Sequence, residues 1–236
     1  MASEHFENQL LASLPDDNLG ALQPWLVHVE LKLRTLLYNA EEEVDWVYFP
    51  RSGMISLLHV LDDSRGIEIA TVGNEGVLGA MAGLGLHLAL SQSVVQVAMS
   101  GWKISAAQFR RLASQYAPIR DMAIRYNEVL LAQTQITAAC NALHAAEQRL
   151  CRWLLQTSDR ADSDTLSLTQ EFLAEMLGVR RTSVTEIARR LQGAGLIQYR
   201  RGVVTITDRP GIEKLSCSCF RSVRRLQHLL MDQTLR

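Results

Sequence analysis

The side chains best suited to chemistry cluster in residues 168 to 208, LTQEFLAEMLGVRRTSVTEIARRLQGAGLIQYRRGVVTITD, and what they can do is bond to bases and phosphates. Arg180, Arg181, Thr182, Ser183, Thr185, Glu186 and Arg189 follow closely on one another, with Thr169 and Gln170 before them and Arg200 and Arg201 after. A guanidinium fork matches the O6 and N7 acceptors of guanine, hydroxyls and carboxylates bond to other base edges, and any arginine can neutralise a phosphate.

Such a set is useful only on a rigid frame, and the same stretch supplies one. Phe172, Leu173, Met176 and Leu177 form an apolar stripe at helical spacing, with Thr169 placed to cap the helix and Glu171 in its first turn, where negative charge suits the dipole. Gly178 stands where that helix should stop. Val184, Ile187, Ala188 and Leu191 mark the buried face of a second helix, which ends before Gly193 and Gly195. Arg181, Thr182, Thr185, Glu186 and Arg189 fall on its opposite face. LIQYRRGVVTI then reads as a hairpin with Arg200, Arg201 and Gly202 at its tip, giving helix, turn, helix and wing in order.

Short helical hairpins with solvated arginines are common, so the distribution of charge decides how this one is read. Residues 169 to 236 carry 12 Lys+Arg against 6 Asp+Glu, whereas the preceding 168 residues carry 12 against 19. The near-neutral total of −1 therefore hides a basic carboxy-terminal third, as expected of a phosphate-binding module joined to something else. At 236 residues and 47% hydrophobic content the chain can hold two packed domains. The amino terminus lacks a basic region followed by an apolar one, and no stretch is apolar for long enough to span a bilayer, so no membrane partner and a cytoplasmic location are expected. Catalysis finds no support: there is no phosphate-binding G-x-x-x-x-G-K-[ST], no Ser-His-Asp order with supporting motifs, and no His/Cys/carboxylate set at metal-ligand spacing. Neither a metal nor another cofactor is expected. Cys140, Cys151, Cys217 and Cys219 have no framework spacing, and CSC at 217 to 219 is too short for paired zinc ligands, so free thiols are expected.

Upstream the pattern changes. Between residues 25 and 105, VHVELKL, VDWVYF, MISLLHVL, GIEIATV and SVVQVAM are separated by turn-forming residues, which predicts a β domain, a small barrel or roll. HFENQLLASLPDDNLGALQPWL before it reads as one or two short helices, with Pro15 and Pro24 as breakers. From about Pro118 to Leu155 the composition predicts one long helix. Along it Met122, Tyr126, Val129, Gln133, Ile136, Cys140, Leu143 and Glu147 recur at alternating steps of four and three. That spacing suits a seam with a second copy, or a face packed on the chain's own β domain. On the seam, Cys140 would lie near its twofold mate. The expected organisation is α+β, with a sensory β-roll over 1–116, a central dimerisation helix over 117–155 and a winged helix-turn-helix over 156–236.

This order of parts resembles the Crp/Fnr superfamily of bacterial transcription regulators. The likeness is carried by EQRLCRWLL, LSLTQEFLAEMLGVRRTSVTEIARRLQGAGLI and YRRGVVTITDRPGIEKLSC, and in the β part by VYFPRSGMISLL and ATVGNEGVLG. It implies a homodimer on a palindromic double-stranded DNA operator, with RNA polymerase as a further partner if the protein is an activator. The family's base-reading positions fall on Arg181, Thr182, Thr185 and Glu186. Thr182 stands where the best-known members have a glutamate that reads cytosine, so their operator sequence does not carry over.

By the same resemblance an effector pocket would involve Gly73, Glu75, Gly76, Gly79, Ser91 and Ser93. Ala80 takes the place of the family's ribose-binding glutamate, and Ser91, Gln92 and Ser93 occupy the region of its phosphate-binding arginine. Between Arg65 and Lys103 only His87 can carry positive charge. A phosphate buried without a cation is costly, although backbone N–H groups can substitute in part, so cyclic nucleotide binding in the usual mode is not expected. The family's iron–sulfur cluster is excluded in its usual form, because residues 1 to 139 contain no cysteine. His28, His59 or His87 would have to hold a haem, and Cys140 would be the first candidate for a redox response. GAMAGLGLHLAL could instead line an apolar ligand pocket.

Overall fold

The computed structural model describes residues 7–62 and 66–231; His5, Phe6 and Arg65 lie outside them. Two compact units divide the chain: Met1–Leu57 with Ala70–Ala132 and Leu226–Arg236, and Leu58–Ile69 with Gln133–Arg225.

In the first unit, α1 (Gln9–Ala12), α2 (Asp16–Leu22) and a 3-10 turn (Gln23–Trp25) precede the sheet, as the breakers Pro15 and Pro24 predict. Asn8 caps α1 by accepting from Leu11 N at 3.0 Å, and its Nδ2 donates to the Pro50 and Gly76 carbonyls at 2.8 and 2.9 Å, fastening the amino-terminal helix to the β domain. The strands are β1 (Val27–Leu31), β2 (Leu36–Tyr38), β3 (Trp46–Val60), β4 (Gly66–Val72) and β5 (Gln92–Ser105), of which residues 58–60 of β3 and 66–69 of β4 fall in the second unit. They lie in the order β1-β5-β3-β4, with β2 also on β5, and both β1 and β2 run antiparallel to β5.

VDWVYF and MISLLHVL, expected as separate strands, belong to one strand of 15 residues. Pro50 and Gly53 do not break it, because Val47, Phe49, Met54 and Ile55 on either side are fully buried and their packing overrides the local turn preference. Ser105 then caps α3 (Ala106–Gln115), whose Phe109 packs on Phe49 with ring centroids 6.3 Å apart. α4 (Ala117–Leu143) follows, running from the first unit into the second.

The single helix expected to reach Leu155 is two helices. α4 stops at Leu143, Ala145 is extended (φ −60, ψ 148), and α5 (Ala146–Ala161) begins afresh. Gln148 Oε1 accepts from Ala145 N at 3.2 Å and so caps the new start. No Gly, Pro, Ser, Thr, Asn or Asp stands at residues 143 to 146 to announce the break.

The rest of the second unit is β6 (Thr165–Ser167), α6 (Gln170–Leu177), α7 (Arg181–Gly193), β7 (Ile197–Arg200), β8 (Val203–Ile206), α8 (Arg209–Leu215) and the start of α9 (Cys219–Met231). β6, β8 and β7 form a three-stranded antiparallel sheet in that order. Its core includes Trp153, Leu154, Leu173, Val184, Leu191 and Ile212, all nearly inaccessible. Trp153 Nε1 donates to buried Glu68 Oε1 at 2.9 Å, and its ring meets Phe172 edge-on, which satisfies the indole and fixes it.

Candidate nucleic-acid interface and sensory cavity

Thr169 Oγ1 accepts from Phe172 N at 3.2 Å, starting α6, and Gly178 ends that helix in the left-handed region. The buried faces of α6 (Leu173, Met176, Leu177) and α7 (Val184, Ile187, Leu191) turn inward, which forces the polar face of α7 outward. Arg180, Arg181, Thr182, Glu186 and Arg189 are accordingly exposed, and Ser183 is half-buried. Thr185 and Gln170 are brought together: the Thr185 hydroxyl lies 2.6 Å from Gln170 Oε1 and 3.0 Å from the Arg181 carbonyl. Its hydrogen is thus used to brace α7 against α6.

The wing is equally determined. Arg200 pairs with Val203 across β7 and β8, leaving Arg201 and Gly202 as a two-residue turn with φ values of 51 and 78. Positive φ at both positions is what a type I′ hairpin requires, and it puts the Arg201 side chain at an exposed tip. At its root Tyr199 N donates to Gln192 Oε1 (2.8 Å), and Tyr199 OH donates to the Leu168 carbonyl (2.8 Å). Burial raises the pKa of that phenol, against the opposing pull of Arg181, so it remains a donor at neutral pH. Thr169, Gln170, Glu171, Arg181, Tyr199, Arg201 and Gly202 line one polar notch of about 370 Å³. The start of α6, the start of α7 and the wing therefore share a surface suited to a phosphate.

The first unit holds a second cavity, of about 340 Å³, lined by Tyr38, Val44, Leu57, Val77 to Ala82, Gly85, Leu86, Leu88 to Ser91, Ser93, Ala123, Tyr126, Asn127 and Leu130. None of the described residues lining it is charged. Of the expected pocket residues, Gly79, Ser91 and Ser93 line it and Gly73, Glu75 and Gly76 do not. Glu75 Oε1 accepts from Gly73 N and from Gln227 Nε2, at 3.3 and 3.2 Å. Gly76 lies against Tyr126, whose hydroxyl occupies the space a Cβ would need. The Gly73–Gly76 turn thus seats α4, a role its spacing alone did not reveal. Tyr38 OH donates to the Trp46 carbonyl, and burial holds its pKa far above the ordinary range, so it stays neutral. Arg110 donates to the Gly83 carbonyl and to His87 Nδ1, each at 3.0 Å, and does not line the cavity. His28, His59 and His87 sit on β1, on β3 and in a loop.

On α4 much of the expected seam is covered by the chain itself. Met122, Tyr126, Gln133 and Cys140 are buried within their own chain, and Val129 and Ile136 are half-buried. Of the predicted stripe only Leu143, 79% exposed, is open. The accessible apolar residues are instead Ile124 (41%) and Leu131 (56%), with exposed Ala138 a further heptad along. Cys140 faces Cys217 of its own chain, Sγ to Sγ 3.5 Å.

Residues 148–215 match the model of the Crp-like helix-turn-helix domain and residues 28–116 that of the cyclic nucleotide-binding domain, together about two thirds of the chain. Solved structures share the fold. A regulator assigned to the crp/fnr family from Eubacterium rectale is 18% identical over 87% of this chain and 96% of its own, with a TM-score of 0.67. FixK2 from Bradyrhizobium japonicum is 14% identical over 82% and 98%, with a TM-score of 0.69. The c-di-GMP responsive global regulator CLP from Xanthomonas campestris is 19% identical over 81% and 99%, with a TM-score of 0.66. No relative is found among curated protein sequences. The chain joins a cyclic nucleotide-binding domain to a Crp-like helix-turn-helix domain and belongs to the Crp/Fnr-type transcription regulators. Among the described residues no helix is long and apolar enough to cross a membrane.

Proposed function

We propose that the protein acts as a homodimer on a palindromic operator. In this reading Arg181, Thr182, Glu186 and Arg189 face the major groove, and Arg200 and Arg201 touch phosphate. The exposed stripe Ile124, Leu131 and Ala138 supplies the α4 seam, and a twofold pair of recognition helices would then reach half-sites about one helical turn, roughly 34 Å, apart. RNA polymerase becomes a partner where the operator lies at a position that favours activation.

We further infer that the effector is an uncharged, largely apolar small molecule. The observation that carries this is the lining of the sensory cavity, apolar but for the hydroxyls of Tyr38, Ser91, Ser93 and Tyr126 and the amide of Asn127. Its volume falls at the small end of ligand pockets, roughly 300 to 1,000 Å³. A cyclic phosphate placed there would lose its hydration without gaining a cation. A ligand that does not distinguish two states shifts no population, so cyclic AMP and cyclic GMP should leave DNA affinity unchanged. Gel-shift titration of operator DNA with and without saturating nucleotide, paired with calorimetry, tests this. Micromolar binding of either nucleotide with tighter DNA binding would overturn it, and would imply that backbone amides together with Ser91 and Ser93 hold the phosphate.

A further inference from the structure

Four side chains that no motif connects meet in the second unit. Cys140 lies in the last turn of α4 and His144 just beyond it, four residues on, while Cys217 and Cys219 flank the junction of α8 and α9. The Phe220 N–H donates to the Cys217 carbonyl at 3.2 Å, and this turn brings sulfurs two residues apart to the same side. The Sγ atoms of Cys140 and Cys217 are 3.5 Å apart, Cys219 Sγ is 3.6 Å from His144 Nδ1, and all four donor atoms lie within 4.8 Å of one another. A zinc ion with Zn–S of about 2.3 Å and Zn–N of about 2.0 Å has ligand-to-ligand edges of roughly 3.5 to 3.8 Å in a tetrahedron. Two of the cluster's edges, at 3.5 and 3.6 Å, match those values, and none exceeds 4.8 Å.

From this juxtaposition we propose that Cys140, His144, Cys217 and Cys219 form a Cys3His site for one zinc ion per chain. The three cysteines are buried and His144 half-buried, so the site is closed, and with four protein donors no position is left open for catalysis. The role is structural: the ion ties the end of α4 to the start of α9, closing a loop of the DNA-binding unit across 77 residues. On binding, three thiols lose their protons to solvent and no electrons move, leaving a centre of net charge −1.

The surroundings suit such a charge. Arg149 and Arg152 are buried, and their hydrogen bonds run to neutral acceptors: Asn141 Oδ1, the Leu177 carbonyl and Gln156 Oε1. The Nε atom of each has no hydrogen-bond partner. Two buried cations without a neutralising carboxylate among those bonds are compensated by an anionic metal centre.

The test uses the full-length chain, purified under reducing conditions and stripped with a strong chelator. Metal analysis before stripping should give one zinc per chain. Cobalt(II) added afterwards should titrate to one equivalent, with the thiolate charge-transfer and intense d–d bands of a tetrahedral site, and zinc should displace it. C217S and H144A should weaken zinc binding by more than the roughly tenfold that losing an outer-shell partner costs, whereas C151S should bind as the parent does. The cobalt spectrum of the unaltered protein decides the matter even if a variant fails to fold. Absence of both metal and cobalt bands in the reduced protein would overturn the proposal. So would a Cys140–Cys217 disulfide, seen as a mass lower by two hydrogens, whose reduction restores no metal binding.

Discussion

Arg181 is the one arginine that both opens the recognition helix and lines the notch shared with the wing, which makes it the side chain best placed for a bidentate guanine contact. Arg181→Ala should cost about 1 to 3 kcal/mol and relax preference at one base pair of each half-site, read by competition binding against a set of single-base operator variants. Arg201→Ala, at a hairpin tip, should instead weaken binding to all sequences alike and lower the slope of affinity against salt by about one unit. The polar face of α7 was legible because residue type and helical period both report it. The Thr185–Gln170 brace was not, since it depends on how two helices pack. Cys151 carries a separate prediction. Burial pushes its thiol up to about 12, whereas an unfolded chain ionises near the ordinary value of roughly 8.5. Its contribution to stability is fully present below the unfolded value and is lost as pH rises from there toward the folded one. Denaturant midpoints should therefore fall between about pH 8 and pH 10, and fall less in Cys151→Ala; equal slopes would contradict this.

Periodicity located α4 but not which side it buries. Apolar residues recur on two faces, Met122, Tyr126 and Cys140 on one and Ile124, Leu131 and Ala138, at steps of seven, on the other, so a heptad period fits either. What settles the side is contact far along the chain: Gly76 admits Tyr126, and Cys217 meets Cys140, neither visible as local pattern. The helix break at residues 144 and 145 escaped for a similar reason, because its cap is the reach of Gln148 to a backbone N–H and not a residue type that favours caps. The exposed stripe makes a distinct claim about assembly. Leu131→Glu should place like charges opposite one another across the twofold seam, giving a folded monomer by sedimentation with operator affinity lost in parallel. A variant that remains dimeric and binds normally would remove α4's exposed face from the interface.

At the scale of the molecule, the basic carboxy-terminal third and the acidic remainder separate two tasks, and the distribution of charged residues along the sequence is enough to reveal that separation. The β domain was legible as a class, though the fusion of two expected strands into β3 and the extra strand β2 came from packing that local sequence does not encode. The absence of Lys and Arg between Arg65 and Lys103 is legible in the sequence, but which of the residues there line the cavity is not: Gly79, Ser91 and Ser93 do and Glu75 does not. The Cys3His cluster was hidden because its halves lie 77 residues apart. The whole account rests on α7 and the wing reading DNA as a twofold pair. The most direct test is selection of binding sites from a random double-stranded library by the purified protein. It should enrich an inverted repeat whose half-site centres lie one helical turn, roughly 10 base pairs, apart, and Arg181→Ala should blur one position in each half. A library that emerges unenriched, or enriched for a single unrepeated site, would contradict the account.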